Sequence, residues 1–307
     1  MINNLFVMAK LPAFRYVRMD RQEERMGRLF ITNPLNPQEN IFTNGRGTKT
    51  CYDKFHIIDD KTLKDYPIDK KFLIPVLRSS RSIKTICHKL DKNYYLFVCN
   101  EKLDVLKSKY PATYKWIMNW STKRNQKGIL LPEKFINQDG RKTWYYLKPE
   151  KPANIFISIN PDKKLFFSYS TAPIFLNQRL VAIRTNQKDV ELIAALLNSI
   201  VSLLVVELNG VSRNLGALDL NADFFKTKMK ILDPNLLDTK GKKEILGKFR
   251  PLAKRKIENY DKEFSKPDRV GFDKTVLNAF GYDLGILPKL YKLLIDTVNN
   301  RVEMKNK

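Results

Sequence analysis

Between Val190 and Leu208 runs the stretch that most limits what this chain can become. Leu192, Leu196, Ile200 and Leu204 recur every four residues beside Ile193, Leu197 and Leu203, so one broad helical face must be buried. Glu191, Asn198, Ser199 and Ser202 fall near one side, as on a central helix with a thin solvent-facing strip. The run approaches the roughly 20 residues a bilayer needs, but Asn198, Ser199, Ser202 and Glu207 interrupt it, and amides and charges are costly in lipid. It is read as a core helix and not as a membrane span. Its end is expected at Asn209-Gly210, since both residues tolerate left-handed backbone. Beyond it, Ser212, Arg213 and Asn214 place a hydroxyl, a guanidinium and an amide between Gly210 and Gly216, which let a backbone approach a partner closely. Such a loop either touches phosphates and base edges or only caps the helix, and its residues leave both open.

The charge balance bears on that choice. The chain of 307 residues has 56 Lys plus Arg against 32 Asp plus Glu, a net charge of +24. An excess of this size predicts a polyanionic partner, because clustered cations release counterions from a phosphate backbone. An AT-rich genome also enriches lysine, but usually raises acidic residues alongside it. Hydrophobic content of 43% and aromatic content of 11% indicate a globular protein with a sizeable core. Cys51, Cys87 and Cys99 are odd in number and form no C-x-x-C pair, which fits a reducing cytoplasm and not a disulfide framework. His56 and His88 are the only histidines, and Cys87-His88 with Cys99 lacks metal-finger spacing. The opening residues lack the basic and apolar segments of a signal peptide.

Taken in order, residues 1–42 read as an arm or linker in which Arg15, Arg18, Arg21, Arg25 and Arg28 recur every three or four residues. Leu29 to Ile31 reads as a short strand and Asn33 to Pro37 as a loop. Lys49 and Lys54 lie on a glycine-bearing loop that feeds a strand expected near Lys54, and either hold phosphates or solubilise a turn. Arg78, Arg81 and Lys84, separated by serines, present donors about one helical turn apart and form the preferred phosphate-contact segment. A helix from Lys102 to Trp120 is broken by Pro111. Trp144 and Tyr145 either stack on an unpaired base or pack beneath a loop. Short β-rich runs at Asn154 to Ile159, Leu165 to Tyr169, Pro173 to Leu176 and Leu180 to Ile183 lead into the apolar helix, separated by turn residues such as Asn177-Gln178. Beyond Pro234 the chain is basic and helix-rich, and Leu284 to Val302 is amphipathic through Leu287, Leu290, Tyr291, Leu294 and Val298.

Several segments, in shared order, resemble a known family. The run from Leu192 to Ile200, with its Ala195-Leu196-Leu197-Asn198-Ser199 centre, then Glu207 to Gly210 and Arg213 to Leu220, looks like a signature of bacterial adenine-N6 DNA methyltransferases. That signature lies in their C-terminal target-recognition region, also found in the methyltransferase halves of combined restriction-modification enzymes. Thr43 to Ile58 resembles the start of that region, with Cys51 and either Tyr52 or Asp53 where the family has glycine and asparagine. Phe72 to Lys84, Gly140 to Leu147 and Asp268 to Gly281 are similar to further elements of it. Ala217 departs from a glycine-rich step. The family's Asn-Pro-Pro-aromatic motif is missing, since Asn33-Pro34-Leu35-Asn36-Pro37 lacks its second proline and its aromatic.

The resulting expectation is an α+β fold: an antiparallel β-meander packed on a long buried helix, with a helical C-terminal tail. Residues 43–233 would form the target-recognition domain and 234–307 the tail. The resemblance implies sequence-specific recognition of double-stranded DNA without catalysis in this chain. Lys49, Lys54, Arg78, Arg81, Lys84, Trp144, Asn209, Ser212, Arg213 and Asn214 are the candidate contacts. S-adenosylmethionine would belong to a methyltransferase catalytic domain or subunit elsewhere. The competing readings are a nuclease or other DNA-modifying enzyme, with Asp59-Asp60 or Asp139 near Lys142 holding metal, and a basic RNA-binding or interaction protein.

Overall fold

The computed structural model describes residues 30–32 and 42–303 apart from 92, 139–140, 142, 162, 186–187, 189, 214–216, 221–223 and 226–228. The charged arm, the 33–37 loop, Asn214, Asp139 and Lys142 therefore lie outside the described residues. Strand β1 (Phe30–Thr32) pairs with β11 (Lys230–Leu232), while β9 (Val211–Arg213) and β10 (Ala217–Asp219) form a hairpin. The main sheet contains β2 (Thr43–Arg46), β3 (Ile57–Asp59), β4 (Leu73–Leu77), β5 (Tyr94–Phe97), β6 (Ala153–Ser158), β7 (Ser168–Leu176) and β8 (Leu180–Arg184). Their spatial order is β2-β8-β6-β7-β4-β5-β3. All neighbours are antiparallel except β4 and β7, which pair parallel at Val76↔Phe175 and Leu77↔Leu176.

The helices described are α1 (Asp53–His56), α2 (Asp60–Asp65), α3 (Leu103–Lys109), α4 (Pro111–Ser121), α5 (Leu131–Glu133), α6 (Val190–Leu197), α7 (Ile200–Asn209), α8 (Thr239–Lys254), α9 (Tyr260–Glu263), α10 (Pro267–Ala279) and α11 (Leu287–Glu303). The α+β reading holds. The centre of strand β6 is apolar without alternation because both its faces are covered: Ile155 and Ile157 pack toward the helices, and Phe156 packs with Leu180 and Ala182 on the other side. The two runs expected at 165–169 and 173–176 are instead a single strand, β7. It leaves β6 after Tyr169, exposes residues 171–173, and rejoins at Ile174↔Ala153.

The apolar stretch is buried as expected, but as two helices bent by 62°. No single described helix is long and apolar enough to cross a membrane; the bent pair passes that test jointly, and its apolar residues lie in the protein core. Of the polar residues read as a solvated strip, Asn198, Ser199 and Ser202 instead build the bend, while Glu191 is partly exposed and pairs with Arg250. Asn198 and Ser199 are fully buried. The Asn198 amide accepts from Phe167 N at 3.0 Å and donates to Phe167 O and Ala194 O at 2.8 Å. Ser199 caps α7 by accepting from Ser202 N. From α10, Asp273 accepts the Ile200 amide at 2.9 Å, and Arg269 donates to Asn198 O at 2.8 Å and to Asp273. Tyr291 of α11 donates a further hydrogen bond to Asp273 at 2.8 Å. Breaking a helix inside a core exposes amides and carbonyls that cost about 1–3 kcal/mol each if left unpaired, and this network satisfies them.

Two separate stretches of the sequence resemblance, Asn198-Ser199 and Arg269 with Asp273, therefore meet as one structural joint. A second buried pair, Glu207 with Arg301, fastens α7 to α11. The helix does end at Asn209, but Gly210 is extended, at φ −63° and ψ 152°, and not left-handed. Its missing side chain serves packing, since a Cβ there would lie 2.5 Å from Leu218 Cδ1 of the β9–β10 hairpin.

Candidate nucleic-acid interface

The loop after β2 crosses the turn between β7 and β8, and that crossing requires Gly47. A Cβ on Gly47 would stand 2.3 Å from Asn177 O and 2.5 Å from Leu176 O. Thr48 N donates to Leu176 O at 2.6 Å, and Gln178 N donates to Thr48 O at 3.0 Å. Asn177 is the buried centre of the crossing. Its backbone amide bonds Leu77 O at the end of β4 (3.1 Å), and its side-chain amide bonds Asp53 Oδ1 at the start of α1 (3.3 Å). Three basic segments are thus tied to one residue: the loop bearing Lys49, the helix bearing Lys54, and the turn bearing Arg78 and Arg81. All four of these side chains are exposed, and so is Arg179 beside Asn177. The β9–β10 hairpin connects to the same neighbourhood, because Leu220 N donates to Ile159 O and Ile159 N donates to Arg179 O.

A half-buried arginine and a buried histidine hold the crossing loop from beneath. Arg141 donates to Thr50 O at 2.8 Å and to Tyr146 O at 3.0 Å, and its Nη1 lies 2.7 Å from His56 Nε2. Arginine can only donate, so His56 Nε2 is the acceptor and Nδ1–H donates to Phe97 O at 3.2 Å. Burial, reinforced by the Arg141 charge, pushes the His56 pKa down to about 3, so the ring is neutral. Lys134 donates to Cys51 O, and Cys51 itself has a φ of 62°, the left-handed backbone suited to the glycine of the resembled motif.

The segment 78–84 is not helical. Strand β4 ends at Leu77, and Ser80–Ser82 form a single 3-10 turn in which Ser79 accepts from Arg81 N. A cavity of about 390 Å³ opens beside it, lined by Val76, Arg78, Arg81, His88, Asn93 and Tyr94, among others. The Arg78 guanidinium sits 4.8 Å from the Tyr94 ring centre. Asp59, at the end of β3, is held below the usual carboxylate range chiefly by hydrogen bonds from Thr62, with a smaller contribution from Arg78. Lys84 is exposed, and its carbonyl accepts from Ile257 N in the segment after α8.

The other candidates fall differently. Trp144 is half-buried and stacks on Phe55 at 5.2 Å and on Phe135 at 6.5 Å between ring centres, at the edge of the aromatic cluster. Asn209 donates to Val205 O within its own helix. Ser212 and Arg213 lie on β9, opposite Leu218 and Ala217 of β10. Their side chains, like all of Asn214, lie outside the described residues. Lys54 stands on α1, and the strand expected near it begins at Ile57. Asp59 uses its carboxylate to cap α2. Among the described residues no group of three or more His, Cys, Asp or Glu is arranged to hold a metal ion. Sequence reasoning missed Asn177 and Arg179. The adjacent asparagine and glutamine signalled a turn, but nothing local marked it as the point where three distant basic segments converge.

No protein-family profile and no curated protein matches this chain in sequence. Among solved structures, the type IIG restriction endonuclease BpuSI matches 93% of this chain with a TM-score of 0.62 at 13% identity. The type IIL restriction-modification enzyme MmeI, determined in complex with DNA, matches 88% of it with a TM-score of 0.52 at 13% identity. The fold is similar to a segment of restriction-modification enzymes. At this identity the likeness is one of fold, and the chain spans only 33% of BpuSI and 37% of MmeI.

Proposed function

We propose that this chain is a target-recognition module of a restriction-modification system, docking on duplex DNA and reading its sequence for an adenine-N6 methyltransferase. One observation carries this reading: Lys49, Lys54, Arg78, Arg81 and Arg179 are exposed on segments gathered at Asn177, in a fold similar to enzymes of which one was determined with DNA bound. The net charge of +24 supports it, because phosphate contacts dominate affinity. In this reading the cations position the duplex and the β9–β10 hairpin, with Arg213 and its neighbours, reaches base edges. The reacting residues and S-adenosylmethionine belong to a catalytic domain or subunit elsewhere, and the assembly works in the cytoplasm.

Selection from a pool of randomised duplexes tests the proposal. A short common sequence should be enriched, and Arg213→Ala should broaden the selected set without abolishing binding. Recovery of duplexes with no common sequence would refute specific recognition. Methyl transfer or cleavage by the purified chain alone, with S-adenosylmethionine and divalent metal supplied, would refute the non-catalytic assignment.

A further inference from the structure

Helix α8 carries a charged face that the docking surface at Asn177 leaves unused. The helix is capped by Asp238, which accepts from Gly241 N at 2.6 Å, and it buries Ile245, Phe249, Leu252 and Ala253 in the core. Helical spacing sends Lys240, Lys243, Gly247, Pro251 and Lys254 to the opposite side, and all five are exposed. Glu244 is the only acidic residue of the helix. Arg250, at the edge of the stripe, is taken by Glu191 at 2.8 Å, whereas the three lysines form no ion pair among the described residues. Gly247 stands in the middle of the stripe. Glycine is a poor helix former, and packing does not call for it, since nothing lies within 4 Å of where its Cβ would stand. Gly47 and Gly210, by contrast, are required by close neighbours. Pro251, one turn on, has no amide to donate to Gly247 O. The centre of a basic face is thus bare backbone, against which a partner's chain can lie between lysines. The stripe also adjoins the docking surface. At the C-terminal end of α8, Cys87 N donates to Ala253 O at 2.7 Å and Ile257 N donates to Lys84 O at 3.0 Å. Thr85 bridges to Lys256, and Lys164 Nζ donates to Ile257 O at 3.3 Å. Exposed Lys84, which follows Arg81 closely in the chain, therefore meets Lys256 just beyond Lys254.

We propose that α8 is a second duplex-contact element, whose outward stripe lies along the DNA phosphate backbone with Gly247 at the point of closest approach. The inference rests on the DNA-docking reading above and extends that surface from the Asn177 crossing, through Lys84, to Lys240. An α-helix rises about 1.5 Å per residue, so Lys240 and Lys254 stand about 21 Å apart. That is the length of about six base pairs at roughly 3.4 Å each. A phosphate strand offers regularly spaced charge along such a length, which suits lysines set on either side of a bare stretch of helix. These contacts hold the duplex in register and add affinity, and they carry no sequence information of their own.

The test uses the whole chain, with duplex affinity measured against salt and the protected DNA backbone mapped by hydroxyl-radical footprinting. Lys240→Gln, Lys243→Gln and Lys254→Gln combined should weaken binding to every duplex alike and flatten the slope of log affinity against log salt by about 2–3. The same variant should lose about six base pairs from one end of the footprint. Gly247→Leu adds bulk without charge and improves helix propensity. It should melt no lower than the wild type, yet bind duplex more weakly with a slope flatter by about 1. Wild-type affinity, slope and footprint in both variants overturn the proposal, including the case in which the stripe serves an acidic protein instead. Weaker binding with a footprint of unchanged length also overturns it, because loss of net charge alone gives that result. In either case, if Arg78→Glu with Arg81→Glu still weakens binding, docking at Asn177 stands without α8. Absence of salt-sensitive duplex binding in the wild type overturns the two together.

Discussion

Acidification should loosen the crossing loop through His56. The ring is fully buried, accepts from Arg141 through Nε2 and donates through Nδ1. Protonating it would desolvate a charge and set it against Arg141, which is why its pKa falls from 6.5 to about 3. The unfolded chain takes up this proton first as pH drops, so stability is full above the unfolded value and is lost as pH falls from 6.5 toward 3. At about pH 5 the unfolded imidazole is almost wholly protonated and the folded one is not, a difference of about 1.5 pH units or about 2 kcal/mol. The assay is urea unfolding at about pH 7.5 and about pH 5, compared between the wild type and His56→Gln, whose amide oxygen can still accept from Arg141. Other titrating groups cancel in that comparison. The wild type should lose about 2 kcal/mol more than the variant on acidification. Equal losses would refute both the burial argument and the tautomer assigned to the ring.

Three further outcomes follow from the geometry. Gly47→Ala should lower stability by about 1–3 kcal/mol, read as a drop in melting temperature, because the new Cβ meets backbone and not a movable side chain. Asp273→Asn should cost about 3–5 kcal/mol in the same assay by leaving the Arg269 charge unpaired in the interior, whereas neutralising the exposed Lys292–Asp296 pair should cost at most about 1 kcal/mol. Arg213→Ala should relax sequence preference while leaving the salt dependence of duplex binding nearly unchanged; an unchanged preference would remove the hairpin from the reading surface.

The sequence revealed most where one physical demand dominated. Strand β6 was legible because burial on both faces leaves Ile155, Phe156 and Ile157 apolar without alternation, and α11 because Leu287, Leu290, Leu294 and Val298 keep helical period against a polar face. The bend at Asn198 was hidden for the converse reason. The four-residue spacing of Leu192, Leu196, Ile200 and Leu204 continues through the break, and an asparagine that pairs with Phe167 looks in sequence like one that faces water. Trp144 could not be placed because the rings it packs with, Phe55 and Phe135, arrive from distant segments. Arg78 and Arg81 stood out by charge among serines, but their convergence with Lys49 and Lys54 depends on backbone and side-chain hydrogen bonds at Asn177 that no local pattern encodes.

Salt-dependent binding of a duplex, followed by fluorescence anisotropy, bears most directly on the proposal that this is a DNA-docking surface. If ~6–10 phosphates are neutralised, affinity should fall by roughly 10³–10⁵ between about 50 and about 200 mM salt. The double variant Arg78→Glu and Arg81→Glu should bind every sequence more weakly and flatten the slope of log affinity against log salt by about 2. Binding that ignores salt, or a double variant that matches the wild type in both affinity and slope, would contradict the account.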